Sequence, residues 1–226
     1  HMNLTSANSI NVARFLPQAF YYFNAYAQAK KLGKADNLTI CVPSGNFGNI
    51  TAGLFAQRMG LPIKHFIAAN NANDIFYNYL LSGIYSPKAS IQTIANAMDV
   101  GDPSNFARIL DLYKSSHTEI CDHISGATYS DDEIAATMKK CYEQTGYVLD
   151  PHGACGYQAL KDNLKDGETG VFLETAHPAK FKEKVDAILS TDIEIPTRLA
   201  DFMKGKKQSL EMAADFSAFK QFLLSV

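Results

Sequence analysis

The chain has 226 residues, of which 46% are hydrophobic and 19% are charged, a balance that lets it bury a substantial core. Its 21 lysines and arginines nearly balance its 23 aspartates and glutamates, so the formal net charge of -2 argues against binding to nucleic acid or to an acidic membrane surface. The sequence has no apolar stretch of membrane length, and its four cysteines form no C-x-x-C pair, which is typical of reduced thiols. We therefore predict a cytoplasmic protein with no nucleic-acid partner, no membrane segment and no metal site.

The start of the chain has two notable features. His1 and Met2 are typical of the remnant that a cleaved purification tag leaves. An amphipathic segment over residues 9–31 follows almost at once and predicts a helix. So early a helix indicates that residues 3–226 come from a longer protein.

Strand-like and helix-like patterns alternate after this first helix. Short apolar runs predict strands, and apolar residues at helical spacing predict the helices between them. Because the connections are short, right-handed crossovers and a parallel sheet of the α/β class are expected. The predicted elements are strands 38–42 and 63–68 and helices 50–59 and 73–81.

The second half of the chain continues the alternation less regularly. Gly101 and Pro103 predict a loop over residues 99–104, and Ser130 and Asp131 are candidate caps of a following helix. The tail beyond Ile195 is predicted to be mostly helical and more basic. The remaining predicted elements are helices 105–112, 130–142, 150–160 and 178–189 and strands 126–129 and 170–175.

A glycine-bearing turn, residues 43–49, joins predicted strand 38–42 to predicted helix 50–59. The first N–H groups of a helix have no partner within it and the helix dipole favours negative charge there, so such a turn can bind phosphate. Gly45 and Gly48 have no Cβ and allow the backbone to approach a ligand closely. The turn lacks the P-loop lysine and the G-x-G-x-x-G spacing, which favours a small phosphorylated cofactor over ATP or NAD. A tight connection whose glycines only reverse the chain is the alternative, and spacing alone leaves both open.

Three segments stand in a distinctive order and spacing: residues 8–14 (N-S-I-N-V-A-R), 43–49 (P-S-G-N-F-G-N) and 174–181 (E-T-A-H-P-A-K-F). Together they resemble threonine synthase, a pyridoxal-phosphate enzyme of fold type II. Residues 97–106 and 149–152 look like the same family, so the resemblance spans nearly the whole chain and covers roughly the C-terminal half of a family member. It implies an α/β fold with a mainly parallel open sheet and helices on both faces. Residues 3–226 would be the C-terminal part of the large cofactor-binding domain.

The resemblance implies pyridoxal 5'-phosphate as the cofactor. In the family the threonine of E-T-A-H-P hydrogen-bonds the pyridine nitrogen, and Thr175 has this position; its neutral hydroxyl would moderate the electron sink of the ring. Without the resemblance, Thr175 would be interpreted as a β-branched residue at a strand end. The family's glycine-bearing turn holds the cofactor phosphate, which assigns that role to Ser44, Gly45, Asn46, Phe47, Gly48 and Asn49.

The resemblance also implies a substrate site for O-phospho-L-homoserine. The family binds the substrate phosphate with residues that correspond to Asn8, Ser9 and Arg14. Their chemistry suits this role, because an arginine offers a fixed fork of charged donors and serine and asparagine add neutral ones. Taken alone, Ser9 would be a helix N-cap and Arg14 a solvated helix residue. His152 and His177 receive no role.

One departure from the family pattern concerns catalysis. The family's Schiff-base lysine lies in the N-terminal half within a Phe-Lys-Asp motif, and no lysine of this chain has that context. We therefore predict the C-terminal part of a threonine synthase, a carbon–oxygen lyase, that is inactive without the missing N-terminal half. One alternative is another fold-type-II enzyme such as a serine/threonine dehydratase, although Arg14 argues against substrates without phosphate. A non-catalytic phosphate-binding module that begins near residue 2 is the other.

Overall fold

The computed structural model describes residues 5–6, 8–206 and 208–225, so His1 and Met2, the predicted tag remnant, lie outside the described residues. Its sheet contains four strands, all parallel, in the order β3-β2-β1-β4. This confirms the predicted α/β class with a parallel sheet. The strands are β1 (Leu38–Pro43), β2 (His65–Asn70), β3 (Ile124–Thr128) and β4 (Thr169–Phe172).

Eleven α-helices accompany the sheet in the described part of the chain, together with short 3-10 turns at Leu16–Gln18, Asn96–Met98 and Pro178–Phe181. The α-helices are α1 (Val12–Phe15), α2 (Ala19–Lys31), α3 (Gly48–Arg58), α4 (Ile75–Ser82), α5 (Phe106–Leu112), α6 (His117–His123), α7 (Asp131–Thr145), α8 (Pro151–Asn163), α9 (Lys182–Leu189), α10 (Thr197–Met203) and α11 (Phe216–Ser225).

Helices cover both faces of the sheet, as predicted. Every residue of β1 is buried, as expected of an inner strand of a parallel sheet, and its successive side chains point to opposite faces. Ile40 and Val42 belong to an apolar cluster that includes residues of α2, α3 and α4, while Cys41 belongs to a second cluster with α7, α8 and α9. The sheet therefore separates two cores, and its carboxyl edge, where open α/β sheets bind ligands, is left for the loops.

Several element boundaries differ from the predictions. The predicted helix over 9–31 is divided, because a 3-10 turn that contains Pro17 separates α1 from α2, and the N-cap of α1 is Asn11 rather than Ser9. The last strand ends at Phe172, so Thr175 lies in the loop that follows it rather than in the strand. Helix α6 was not predicted. Ser130 caps α7 through a capping box with Glu133, as its sequence suggested.

The chain divides into two compact units, His1–Ile193 and Glu194–Val226. The first contains the sheet and the helices α1 to α9, and the second contains α10 and α11. The assignment of residues 3–226 to one large domain stays a prediction. Throughout the described residues, no helix combines the length and the apolar character that a membrane crossing needs.

Candidate functional site

A cavity of about 800 Å³ lies beside the ends of β1 and β4. Its lining comes from the start of the chain, from α2, from the turn after β1, from residues 97–98 and from the segment after β4. The cavity brings together most of the predicted site residues, although they are distant in sequence: Ser9, Arg14, Gly45, Asn46, Phe47, Gly48, Asn49 and Thr175. Asn8 and Ser44 do not line it.

The turn after β1 presents a row of free backbone donors. Within the described residues, none of the five amides of Gly45 to Asn49 donates a hydrogen bond to a protein acceptor. Phe47, the residue before α3, has left-handed backbone angles (φ 61°, ψ 13°), and its own side chain makes no capping hydrogen bond. A helix N-terminus with free amides and a positive dipole end, open to a cavity, is an anion-binding geometry.

The two glycines of the turn do not serve the same purpose. A Cβ on Gly45 would lie 2.6 Å from Met98 Cα and 3.1 Å from Ala97 O, so only glycine lets these two backbones approach so closely. A Cβ on Gly48 would be no closer than 3.5 Å to any neighbour, which is ordinary contact. The residue with positive φ is Phe47 rather than either glycine. The sequence argument that both glycines are needed for close approach therefore holds for Gly45 alone.

Side chains within the turn hold its shape. Asn49 Nδ2 donates to the Pro43 carbonyl over 2.8 Å, and Asn49 Oδ1 accepts from the Ile50 amide (2.9 Å) and from the Ser44 hydroxyl (2.8 Å). Ser44 is buried, and its amide donates to the Ala69 carbonyl over 3.0 Å. The Ser44 hydroxyl thus supports the turn from behind, whereas the sequence suggested that it could donate to a ligand.

Ser9 connects the start of the chain to the turn. Its hydroxyl oxygen accepts from Asn46 Nδ2 (2.8 Å) and Asn105 Nδ2 (3.0 Å), and its carbonyl accepts from Arg108 Nη1 (2.9 Å). Asn105 Nδ2 also donates to the Asn46 carbonyl over 2.9 Å. Sequence reasoning assigned no role to Asn105 or Arg108, although Asn105 falls in the family-like stretch 97–106. Their contacts join segments almost 100 residues apart, which no local pattern reveals.

Two cations line the cavity. Arg14 and Lys180 are both exposed, and the Arg14 guanidinium has no hydrogen bond or ion pair with any described residue. Lys180 Nζ lies 5.3 Å from the ring centroid of Phe181. Within the described part of the chain, no group of three or more His, Cys, Asp or Glu residues could hold a metal ion. The two cations make the cavity suited to an anionic ligand.

Beside Thr175 lies a cluster of titratable side chains, in which Asp150 and His152 are buried and Glu174 is half-buried. Glu174 Oε1 accepts from the Asp150 amide over 3.0 Å, and His152 Nδ1 lies 3.3 Å from Asp150 Oδ1. Burial, together with the Asp150 carboxyl, raises the pKa of Glu174 to about 8. Burial also acts to raise the pKa of Asp150, but hydrogen bonds from His152 and Glu174 outweigh it and lower that pKa. Glu174 and His152 line the cavity, and sequence reasoning gave a role to neither.

Comparison with known proteins identifies the family. Residues 5–175 match the family model described as pyridoxal-phosphate dependent enzyme. The chain belongs to this family. Within the pyridoxal-phosphate dependent enzymes, residues 153–223 also match the model described as threonine synthase, C-terminal.

Individual relatives within this family confirm the resemblance to threonine synthase. The chain is 48% identical to threonine synthase from Haemophilus influenzae, in an alignment that covers 99% of this chain and 52% of that protein. The crystal structure of threonine synthase from Escherichia coli matches with a TM-score of 0.89 and 43% identity, over 98% of this chain and 51% of that one. The pyridoxal-phosphate-bound threonine synthase from Brucella melitensis matches with a TM-score of 0.86 and 35% identity, over 97% and 52%. The chain spans about half the length of these relatives.

Proposed function

We propose that the cavity binds pyridoxal 5'-phosphate, with the cofactor phosphate on the amides of Gly45 to Asn49. The observation that carries this proposal is the row of five free amides at the start of α3. A phosphate accepts several hydrogen bonds at once, and the helix dipole adds to its binding. Membership of the pyridoxal-phosphate dependent enzymes supports the same cofactor.

Thr175 is the proposed partner of the cofactor ring. It lines the same cavity as the turn and follows β4 by three residues, at the carboxyl edge of the sheet. Its hydroxyl can hydrogen-bond the ring nitrogen without supplying a full charge. When bound, the cofactor acts as an electron sink for carbanion chemistry, and a neutral partner moderates that sink.

Arg14 is the proposed anchor of a phosphorylated substrate, with Lys180 as a second cation in the same cavity. The Arg14 guanidinium has no partner among the described residues and can bind phosphate through two parallel hydrogen bonds. Asn8 and Ser9, assigned with Arg14 on the resemblance, have different surroundings: the Ser9 hydroxyl already contacts Asn46 and Asn105, and Asn8 lies outside the cavity lining. The geometry therefore favours Arg14 as the main contact of O-phospho-L-homoserine.

The complete protein is proposed to be a threonine synthase, which converts O-phospho-L-homoserine and water to L-threonine and phosphate. The match of residues 153–223 to the threonine synthase C-terminal model supports this activity over that of a serine/threonine dehydratase. The Schiff-base lysine and the opposite wall of the cleft would come from the N-terminal half of the same enzyme. A cytoplasmic location stays part of this proposal.

Amide chemical shifts test the phosphate site directly. Pyridoxal phosphate added to the ¹⁵N-labelled chain should shift the amides of Gly45 to Asn49 more than any other group, because these donors would change partner from water to phosphate. Pyridoxal without its phosphate is the matched control ligand and should leave these five amides nearly unchanged. Sodium chloride at equal ionic strength controls for screening. Largest shifts away from the turn would refute the assignment.

A further inference from the structure

Two carboxyl groups, one buried and one half-buried, lie next to each other beside Thr175. Glu174 follows β4, and Asp150 is the N-cap of α8. Glu174 Oε1 accepts from the Asp150 amide over 3.0 Å, which brings the two side chains together at the start of α8. Glu174 Oε2 and Asp150 Oδ2 are both buried, and neither accepts a hydrogen bond from any N–H or O–H group of the described residues. Each of these two buried oxygens therefore lacks a donor among the described residues.

Two ionised carboxylates cannot satisfy one another, because both are acceptors and both carry negative charge. A single proton between them removes the repulsion and gives each buried oxygen a hydrogen bond. We infer that Glu174 and Asp150 share one proton, carried by Glu174, and that this pair fixes the position of Thr175 at the cavity. Glu174 is thus a positioning residue for the proposed cofactor site, and the inference rests on that proposal for its functional part.

The surroundings determine which carboxyl holds the proton. Asp150 Oδ1 accepts from the amides of His152 (2.7 Å) and Gly153 (3.3 Å) at the positive end of the α8 dipole, which stabilises a negative charge there. The position of Glu174 depends on Gly153, because a Cβ at that residue would lie 2.3 Å from Glu174 Oε1. Within the described part of the chain, Glu174 Oε1 accepts one hydrogen bond, from the Asp150 amide. The raised pKa of Glu174 and the lowered pKa of Asp150 agree with this division.

Through His152 the pair connects to Ala97, another residue of the cavity lining. The Ala97 amide donates to His152 Nε2 over 3.2 Å, which leaves the ring hydrogen on Nδ1, the nitrogen that faces Asp150. Residues 97 and 98 in turn contact Gly45 of the phosphate turn. A continuous chain of polar contacts therefore connects the segment of Thr175 to the wall that supports the proposed phosphate site.

Asp150 and Tyr147 are the titratable groups that act on Glu174, while His152 contacts Asp150 and the exposed cations Arg14 and Lys180 line the same cavity. Burial raises the pKa of Tyr147, and the charges of Glu174 and Asp150 raise it further. Neither cation forms an ion pair with Glu174 within the described residues, and a His152 ring that accepts from the Ala97 amide is neutral. Deprotonation of Glu174 therefore places two negative charges next to each other. The segment that contains Thr175 then loses the hydrogen bond between the Glu174 and Asp150 carboxyls.

Infrared spectroscopy of the full chain at pH 7 tests the shared proton. The wild-type spectrum minus that of Glu174→Gln should contain a carboxylic-acid C=O band that shifts in D₂O. Glu174→Gln keeps the shape, one acceptor and one donor, and so reproduces the protonated glutamate. Absence of the acid band at pH 7 overturns the inference, whatever the cofactor result.

The pH dependence of thermal unfolding gives a second, independent measure. The pKa of Glu174 is about 4.5 in the unfolded chain and is raised to about 8 in the folded one. Between these two pH values the folded chain keeps a proton that the unfolded chain has lost, so the free energy of unfolding falls as the pH rises. The unfolding midpoint of the wild type should therefore fall relative to Glu174→Gln by up to roughly 3–5 °C per pH unit between about pH 5 and 8. Parallel curves for the two proteins would overturn the inference.

Cofactor binding tests the positioning role. Glu174→Gln should bind pyridoxal phosphate as the wild type does, while Glu174→Ala should bind roughly tenfold more weakly because it leaves the Asp150 amide and carboxyl without their partner. Equal binding by wild type, Glu174→Gln and Glu174→Ala would refute the positioning role. If the wild type binds no cofactor, the proposed site is wrong, while the infrared and unfolding measurements still decide whether the proton is shared.

Discussion

The contrast between Gly45 and Gly48 gives the sharpest prediction about the phosphate turn. Both glycines line the cavity and both carry a free amide, but only a Cβ on Gly45 meets another backbone, at 2.6 Å from Met98 Cα. Contacts below about 3 Å force neighbouring atoms to move, and here the neighbours are main-chain atoms that cannot rotate away. We therefore expect Gly45→Ala to displace residues 97–98 or the turn itself.

The two substitutions are expected to affect the free energy of unfolding differently. Overpacking of this kind costs roughly 1–3 kcal/mol, so Gly45→Ala should lower the unfolding midpoint by about 2–12 °C for a chain of this size. Gly48→Ala lies at the start of α3 and makes only ordinary contacts, so it should be neutral or stabilising by up to about 1 kcal/mol. A displaced turn also misaligns its amides. A hydrogen bond to a charged phosphate contributes about 1.5–3 kcal/mol, so the loss of one should lower the affinity for pyridoxal phosphate at least about tenfold.

Thermal unfolding and a pyridoxal phosphate titration, performed on both variants and on the wild type, measure the two effects. Gly48→Ala is the matched control, since it adds the same methyl group to the same turn. Equal midpoints and equal affinities for the two variants would show that the close approach of Gly45 to Met98 does not constrain the site, and the argument from the Cβ distance would fail.

Three further predictions concern the complete enzyme and the chain alone. Arg14→Ala in the complete enzyme should weaken the binding of O-phospho-L-homoserine by about 1.5–3 kcal/mol, which is ten- to a hundredfold or more in affinity, with little effect on cofactor binding. Equal losses of affinity for substrate and cofactor would count against a substrate role. Thr175→Val should change the absorbance of bound pyridoxal phosphate while leaving the unfolding midpoint nearly unchanged, because the side chain is exposed; an unaltered spectrum would remove Thr175 from the site. The purified chain alone should release no phosphate from O-phospho-L-homoserine when pyridoxal phosphate is added, and activity should return when the N-terminal half is supplied. Turnover by the chain alone, in preparations free of host enzyme, would mean that one of its own lysines performs the chemistry.

The sequence predicted the features of this protein that depend on neighbouring residues. A short apolar run, a glycine-bearing turn and a helical period specify β1, the turn and α3, because strand propensity, turn conformation and helix periodicity are local properties. The free amides at the start of α3 follow from the same local geometry. The strand-helix alternation was also sufficient for a parallel sheet, since short crossovers leave few other topologies.

The tertiary structure decided how the turn is held and what surrounds it. Gly45 is needed because of Met98, and the Ser44 hydroxyl is occupied by Asn49. Ser9 reaches the turn only because the chain returns to it from a distant segment. None of these contacts leaves a periodic signal, so residue type alone could not assign these roles.

The pair of Glu174 and Asp150 shows the same limit most clearly. Each residue taken from the sequence alone is an ordinary ionised carboxylate or a helix cap. Their shared proton arises only when folding brings two residues 24 positions apart together and buries an oxygen of each, where Gly153 leaves room for the second carboxyl. Sequence fixes the chemical groups, but protonation depends on burial and on the partners that the fold places beside them.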